Sequence, residues 1–138
     1  MPVYADLRWL DPDAKPAAPR DDEEARLLHA AMTYLAWALP ADAVANHCPG
    51  EGKRSKTAQV TLKRSGYQKG WPDIEIIWRG SALFVELKSR RGVLSEEQRS
   101  MHRKLTYCGC PVICAKSLPA IECALLEFGV PLKARLAA

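Results

Sequence analysis

Residues 70–88, GWPDIEIIWRGSALFVELK, constrain this chain more than any other stretch. Ile74 to Trp78 and Leu83 to Leu87 are rich in aliphatic, β-branched and aromatic residues, the composition of strands that pack against a core. Arg79, Gly80 and Ser81 separate the two runs and suit a short hairpin turn. Side chains alternate along a strand, so Leu83, Val85 and Leu87 share one face while Phe84, Glu86 and Lys88 share the other. Asp73 lies 13 positions before Glu86, and a chain folding back about Gly80 brings the two acids together, within one register step.

Charge in a strand is the informative departure. Two carboxylates held close repel each other, even beside one ammonium, unless a cation lies between them. Hard divalent ions such as Mg²⁺ take oxygen ligands of this kind. The ordinary alternative is an edge strand whose Glu86 and Lys88 face water, with Asp73 as a turn residue after Trp71-Pro72.

The flanking segments predict an α/β order of α–β–α–β–β–α–β–α, with a central mixed sheet between helices. Residues 1–20, with four prolines, read as an irregular arm, and 21–138 as a single folded domain. Asp21 to Leu39 is a helix closed by Pro40, with Leu28, Ala31, Leu35 and Ala38 as its apolar stripe. One turn before Leu28, Glu24 continues that stripe, and an inward carboxylate needs a partner or a metal. A plain first-turn charge is the alternative. Ala43 to Cys48 suits a short strand, and Ser55 to Ser65 a helix capped by Ser55. Ser95-Glu96-Glu97-Gln98 is a capping-box pattern opening a helix to Tyr107, which by itself accounts for Gln98. A short strand at Pro111 to Cys114 and a last helix from Ser117 to Phe128 complete the order.

The net charge of +4 conceals an uneven distribution. Residues 53–104 carry 13 basic and 5 acidic side chains, a balance that suggests a polyanionic partner, with nucleic acid first. Lys53, Arg54, Lys56, Lys63 and Arg64 flank or stud the second helix and suit a phosphate-facing surface, or else simply a solvated face. Five cysteines, an odd number without zinc-knuckle spacing, predict reduced thiols. No apolar run spans a membrane, and the opening MPVYADLRWLDPD lacks the basic head and apolar middle of a signal peptide, so an intracellular, cytoplasmic protein is expected.

An ordered set of pieces carries a resemblance: Glu24, then Gly70-Trp71-Pro72-Asp73, a hairpin, Glu86-Leu87-Lys88, and Ser95-Glu96-Glu97-Gln98. This set resembles the PD-(D/E)XK nuclease superfamily with its restriction-endonuclease-like core, and within it the VRR-NUC (virus-type replication-repair nuclease) family. The likeness extends over roughly residues 21–135. It differs at Pro49-Gly50-Glu51-Gly52, where relatives often have Asn-Gly. The resemblance implies a phosphodiesterase in which Asp73, Glu86 and the Leu87 carbonyl hold Mg²⁺ or Mn²⁺, with Glu24 contributing directly or through water. It implies that Lys88 orients the attacking water and that Gln98 positions Lys88 or the phosphate. Arg54, Lys56, Arg90 and Arg91 would grip the DNA backbone. Small members of the family resemble Holliday-junction resolvases and work as homodimers, so a structure-selective endonuclease on branched DNA is the first expectation. Trp9, Trp37 and the cysteine-rich end are candidate dimer surfaces. A sequence-specific restriction-like nuclease and a non-catalytic nucleic-acid-binding module are the alternatives.

Overall fold

The computed structural model describes residues 22–49 and 55–137. The expected arm at 1–20, together with Trp9 and Arg54, lies outside them. The elements run α1 (Asp22–Ala38), β1 (Ala43–His47), α2 (Lys56–Arg64), β2 (Ile74–Trp78), β3 (Ser81–Leu87), α3 (Glu96–Tyr107), β4 (Val112–Ala115) and α4 (Leu118–Phe128). This is the order expected from the sequence.

The four strands form one sheet in the order β1-β2-β3-β4. The first two junctions are antiparallel and β3–β4 is parallel, so the sheet is mixed. A parallel pair needs a crossover, and α3 provides it. The β2–β3 turn has only two central residues, Arg79 and Gly80, at φ 47° and 76°. Both positive values match the hairpin turn whose twist suits its strands. Ser81 therefore belongs to β3, paired with Trp78, rather than to the turn.

Alternation along β2 and β3 divides the packing into two layers of unequal depth. On one face Ile74, Ile76, Leu83, Val85 and Leu87 meet Ala31, Tyr34, Leu35 and Ala38 of α1 and Ile121 and Leu125 of α4. Full burial of each large aliphatic side chain here stabilises the fold by about 1.5–3 kcal/mol. On the other face a small cluster of Phe84, Met101 and Leu105 seats α3, with Trp71 edge-on to Phe84 at a centroid distance of 5.3 Å. The second layer ends where Glu86 follows Phe84 on the strand and Gln98 precedes Met101 on the helix.

The C-terminal segment returns across α1 and α4. Lys133 N donates to Ala38 O at 2.8 Å, and Leu136 N donates to Glu122 Oε2 at 2.7 Å. Tyr34 Oη donates to the same oxygen at 2.6 Å, and Arg135 lies 3.2 Å from Oε1. The Tyr34 hydroxyl, and after it the Leu136 amide, hold Glu122 below the usual carboxylate range. All five cysteines are free thiols, and among the described residues no helix is long and apolar enough to cross a membrane.

Candidate active site

The end of β3 is a hub that β2, α1 and α3 all reach. Ile74 pairs with Val85, so one step further Asp73 faces Glu86, the closest of the expected registers. Strand pairing stops there and a side chain takes over: Asp73 Oδ2 accepts the Leu87 N–H at 2.8 Å. Phe84 N and Lys88 N donate the other way, to Pro111 O and Ala115 O on the β4 side. Leu87, of opposite parity, therefore aims both its N–H and its carbonyl toward Asp73. The end of β1 fixes the Asp73 backbone, whose carbonyl accepts Cys48 N at 2.7 Å and the His47 Nδ1–H at 3.0 Å. His47 is thus a support for Asp73.

Glu86 is buried, with 2% of its surface exposed. Burying a carboxylate costs several kcal/mol unless charges and hydrogen bonds meet it. Gln98 Nε2 donates to Glu86 Oε1 at 2.9 Å, and Lys88 Nζ lies 3.8 Å from the same oxygen. Gln98 also completes the capping box, its Oε1 accepting Ser95 N at 2.9 Å while Ser95 Oγ accepts Gln98 N. The cap and the site are two ends of one amide, so the capping explanation and the site explanation both hold. The cap also decides the amide's orientation, since only the oxygen can accept from Ser95 N.

His102, one turn beyond Gln98, places Nε2 3.5 Å from Glu86 Oε2. The sequence reading passed over it. Its signal was helical spacing, since position i+4 from Gln98 shares a face with it. Burial pushes the imidazole pKa down, the Lys88 charge pushes it down further, and Asp73 opposes both.

Glu24 reaches the same hub by another route. Its Oε1 accepts Ser89 N at 3.2 Å, and the neighbouring Glu23 accepts Arg90 N at 2.8 Å. Lys116 Nζ donates to Arg90 O at 3.0 Å. The first turn of α1 and the start of the β4–α4 loop therefore strap down the loop that carries Arg90 and Arg91, both exposed. Lys56 is exposed on α2, a helix that buries no residue. Asp73, Glu86, Lys88 and Gln98 thus meet at one place, and Glu24 touches its margin.

Among the described residues no three His, Cys, Asp or Glu side chains group tightly enough to hold an ion alone. Mg²⁺ does not require three. It keeps several waters and commonly binds through one or two carboxylates. Asp73, immediately before β2, and Glu86 and the Leu87 carbonyl on β3 are hard oxygen donors of the kind such an ion takes, and so fit it.

The VRR-NUC domain family model matches residues 18–119. Among solved structures, a "VRR_NUC domain" is similar at 21% identity and a TM-score of 0.50, covering 78% of this chain and 97% of that one. A "VRR_NUC domain protein" is similar at 17% identity and a TM-score of 0.55, covering 83% and 91% respectively. At these identities the likeness establishes the fold. A search of curated proteins finds no match.

Proposed function

Because the chain belongs to the VRR-NUC domain family, and so has a nuclease-like fold, we propose that it is a metal-dependent DNA endonuclease, and in finer detail a homodimer selective for branched DNA such as four-way junctions. The observation that carries the nuclease reading is Glu86: a buried carboxylate, facing Asp73 across the sheet, gripped by Gln98 and flanked by Lys88. The finer reading rests on the resemblance to junction resolvases.

In this reading Asp73, Glu86 and the Leu87 carbonyl hold Mg²⁺ or Mn²⁺. Such an ion supplies Lewis-acid stabilisation of charge developing on the phosphate and acidifies the attacking water. Lys88 holds that water through its ammonium and offsets negative charge as the new P–O bond forms and the ester P–O bond breaks. Gln98 fixes the Glu86 carboxylate, and so serves the site through Glu86. Arg90, Arg91 and Lys56 grip phosphates on either side, with Glu24 fixing the arginine loop.

The test is cleavage of matched branched and linear DNA in Mg²⁺, in Mn²⁺ and in EDTA. Branched DNA is cut in either ion and EDTA stops the reaction. Lys88→Ala lowers the cleavage rate about 100-fold or more, while DNA binding in Ca²⁺ stays near native at temperatures where the variant, which loses a cation beside the buried Glu86, is folded. Cutting at the native rate by Lys88→Ala, or in EDTA, would overturn the mechanism. Cleavage at one fixed sequence would instead support a restriction-like enzyme, and tight binding without cleavage in any divalent ion a binding module.

A further inference from the structure

We propose that His102 is a positioning residue of this site, gripping one oxygen of Glu86 while Gln98 grips the other. The inference rests on the reading of Glu86 as a metal ligand. Gln98, Met101, His102 and Leu105 lie along one face of α3. Met101 and Leu105 pack on Phe84, as an apolar second layer requires. His102 sits on the same face, yet its ring nitrogen Nε2 is buried and makes no hydrogen bond among the described residues. A buried polar atom of this kind is costly to leave unmet. Glu86 Oε2 lies 3.5 Å from it, and Gln98 Nε2 lies 2.9 Å from Oε1.

The distance of 3.5 Å is longer than a formed N–H···O bond, and a shift of roughly half an ångström makes one. Site hydrogen bonds of this length commonly tighten when the complex assembles. The terminal torsion of a glutamate is broad, so each donor that meets the carboxylate from a fixed direction narrows the planes it can adopt. Donors on both oxygens, presented from one rigid helix, fix the carboxylate plane toward Asp73 and the Leu87 carbonyl. The competing account is packing alone, with His102 filling space beside Met101. A phenyl ring would fill that space equally well.

The experiment is Mn²⁺ binding by the full chain, measured by calorimetry and by EPR, for the native protein, Glu86→Gln, His102→Phe and His102→Gln. His102→Phe keeps the melting temperature close to native and weakens Mn²⁺ about 10-fold or more, the usual loss when a partner of a metal-ligating group is removed. His102→Gln, which retains a donor, recovers most of the affinity. Pulsed EPR of bound Mn²⁺ shows no directly bonded nitrogen. Native Mn²⁺ affinity in His102→Phe, or a directly bonded nitrogen lost with His102, would overturn the positioning role. If His102→Phe does not fold, His102→Leu is read by the same criteria. If Glu86→Gln binds Mn²⁺ as the native protein does, the reading of Glu86 fails. If Glu86→Gln loses Mn²⁺ while His102→Phe retains it, only the role of His102 fails.

Discussion

One oxygen of the Glu24 carboxylate is engaged by backbone: its Oε1 accepts Ser89 N, and the Cβ of any residue replacing Gly92 would come within 3.4 Å of it. A glutamine can make the same acceptance through its amide oxygen, whereas it is a poor substitute for a carboxylate on a divalent ion. Glu24→Gln is therefore expected to cut DNA within a fewfold of the native rate. Glu24→Ala loosens the Arg90–Arg91 loop, leaving the Glu23 and Lys116 contacts to Arg90 in place, and raises the KM for DNA more than it lowers kcat. Steady-state kinetics on one branched substrate separate the two, and a loss of kcat of about 100-fold in Glu24→Gln would instead support a metal-ligand role for Glu24. The residue scale is also where sequence reading reaches its limit. Helical spacing from Leu28 was enough to point Glu24 inward, but its partner lies 65 positions away and is a main-chain amide. Gln98 and His102 differ in the same way. The capping box made Gln98 visible, whereas His102 has only its i+4 spacing from Gln98 to mark it, and nothing in that spacing names Glu86 as its neighbour.

Between elements, Gly70 joins the approach to β2 with the first turn of α3. Its φ is +84°, and a Cβ there would run into the Glu97 carbonyl and come within 2.9 Å of Gln98 N. The glycine of the Gly-X-Pro-Asp run thus lets the backbone before Asp73 lie directly on the helix that carries Gln98. The buried Pro72 and the Lys69–Glu97 ion pair at 3.1 Å brace the same contact. Gly70→Ala combines left-handed strain with a main-chain collision, and is expected to destabilise the protein by about 2 kcal/mol or more. Because the collision displaces Gln98, cleavage falls as well, even at temperatures where the variant is folded. Chemical denaturation and cleavage at 25 °C check the two effects, and an alanine variant equal to native in both would disprove the coupling. The elements themselves were legible: apolar period, caps and turn residues placed each one in order, with ends shifted by a residue or two, as at Ser81, and the hairpin brought Asp73 to Glu86 within one register step. What local pattern does not encode is how α1, α3 and the C-terminal segment meet. The Tyr34–Glu122 bond joins residues 88 apart, and neither side chain announces the other.

For the molecule as a whole, α2 poses the question of what a helix that buries no residue is for. Its Ser55 cap is formed, with the Ser55 side chain accepting Ala58 N, and Lys63 and Arg64 complement the negative end of its dipole. Those features stabilise the helix locally, but they add nothing to the core. Lys56, Lys63 and Arg64 on α2, with Arg90 and Arg91 on the strapped loop, are exposed cations on a chain of net charge +4. If these two segments grip the DNA backbone, binding releases one counterion per phosphate neutralised. The slope of log K against log salt then falls by about 0.9 for each contact removed. Replacing Lys56 and Arg64 together by glutamine should make the slope shallower by about 2, weaken branched and linear DNA alike, and cost at most about 1 kcal/mol of stability through the helix dipole, since neither side chain is buried. Replacing Lys88 should make the slope shallower by about 0.9 at most, because a residue directed at the reacting phosphate contributes one contact at most. Fluorescence anisotropy in Ca²⁺ across a salt series measures both slopes. A double variant with the native slope would remove α2 from the DNA interface and leave the Arg90–Arg91 loop as the remaining phosphate-binding element.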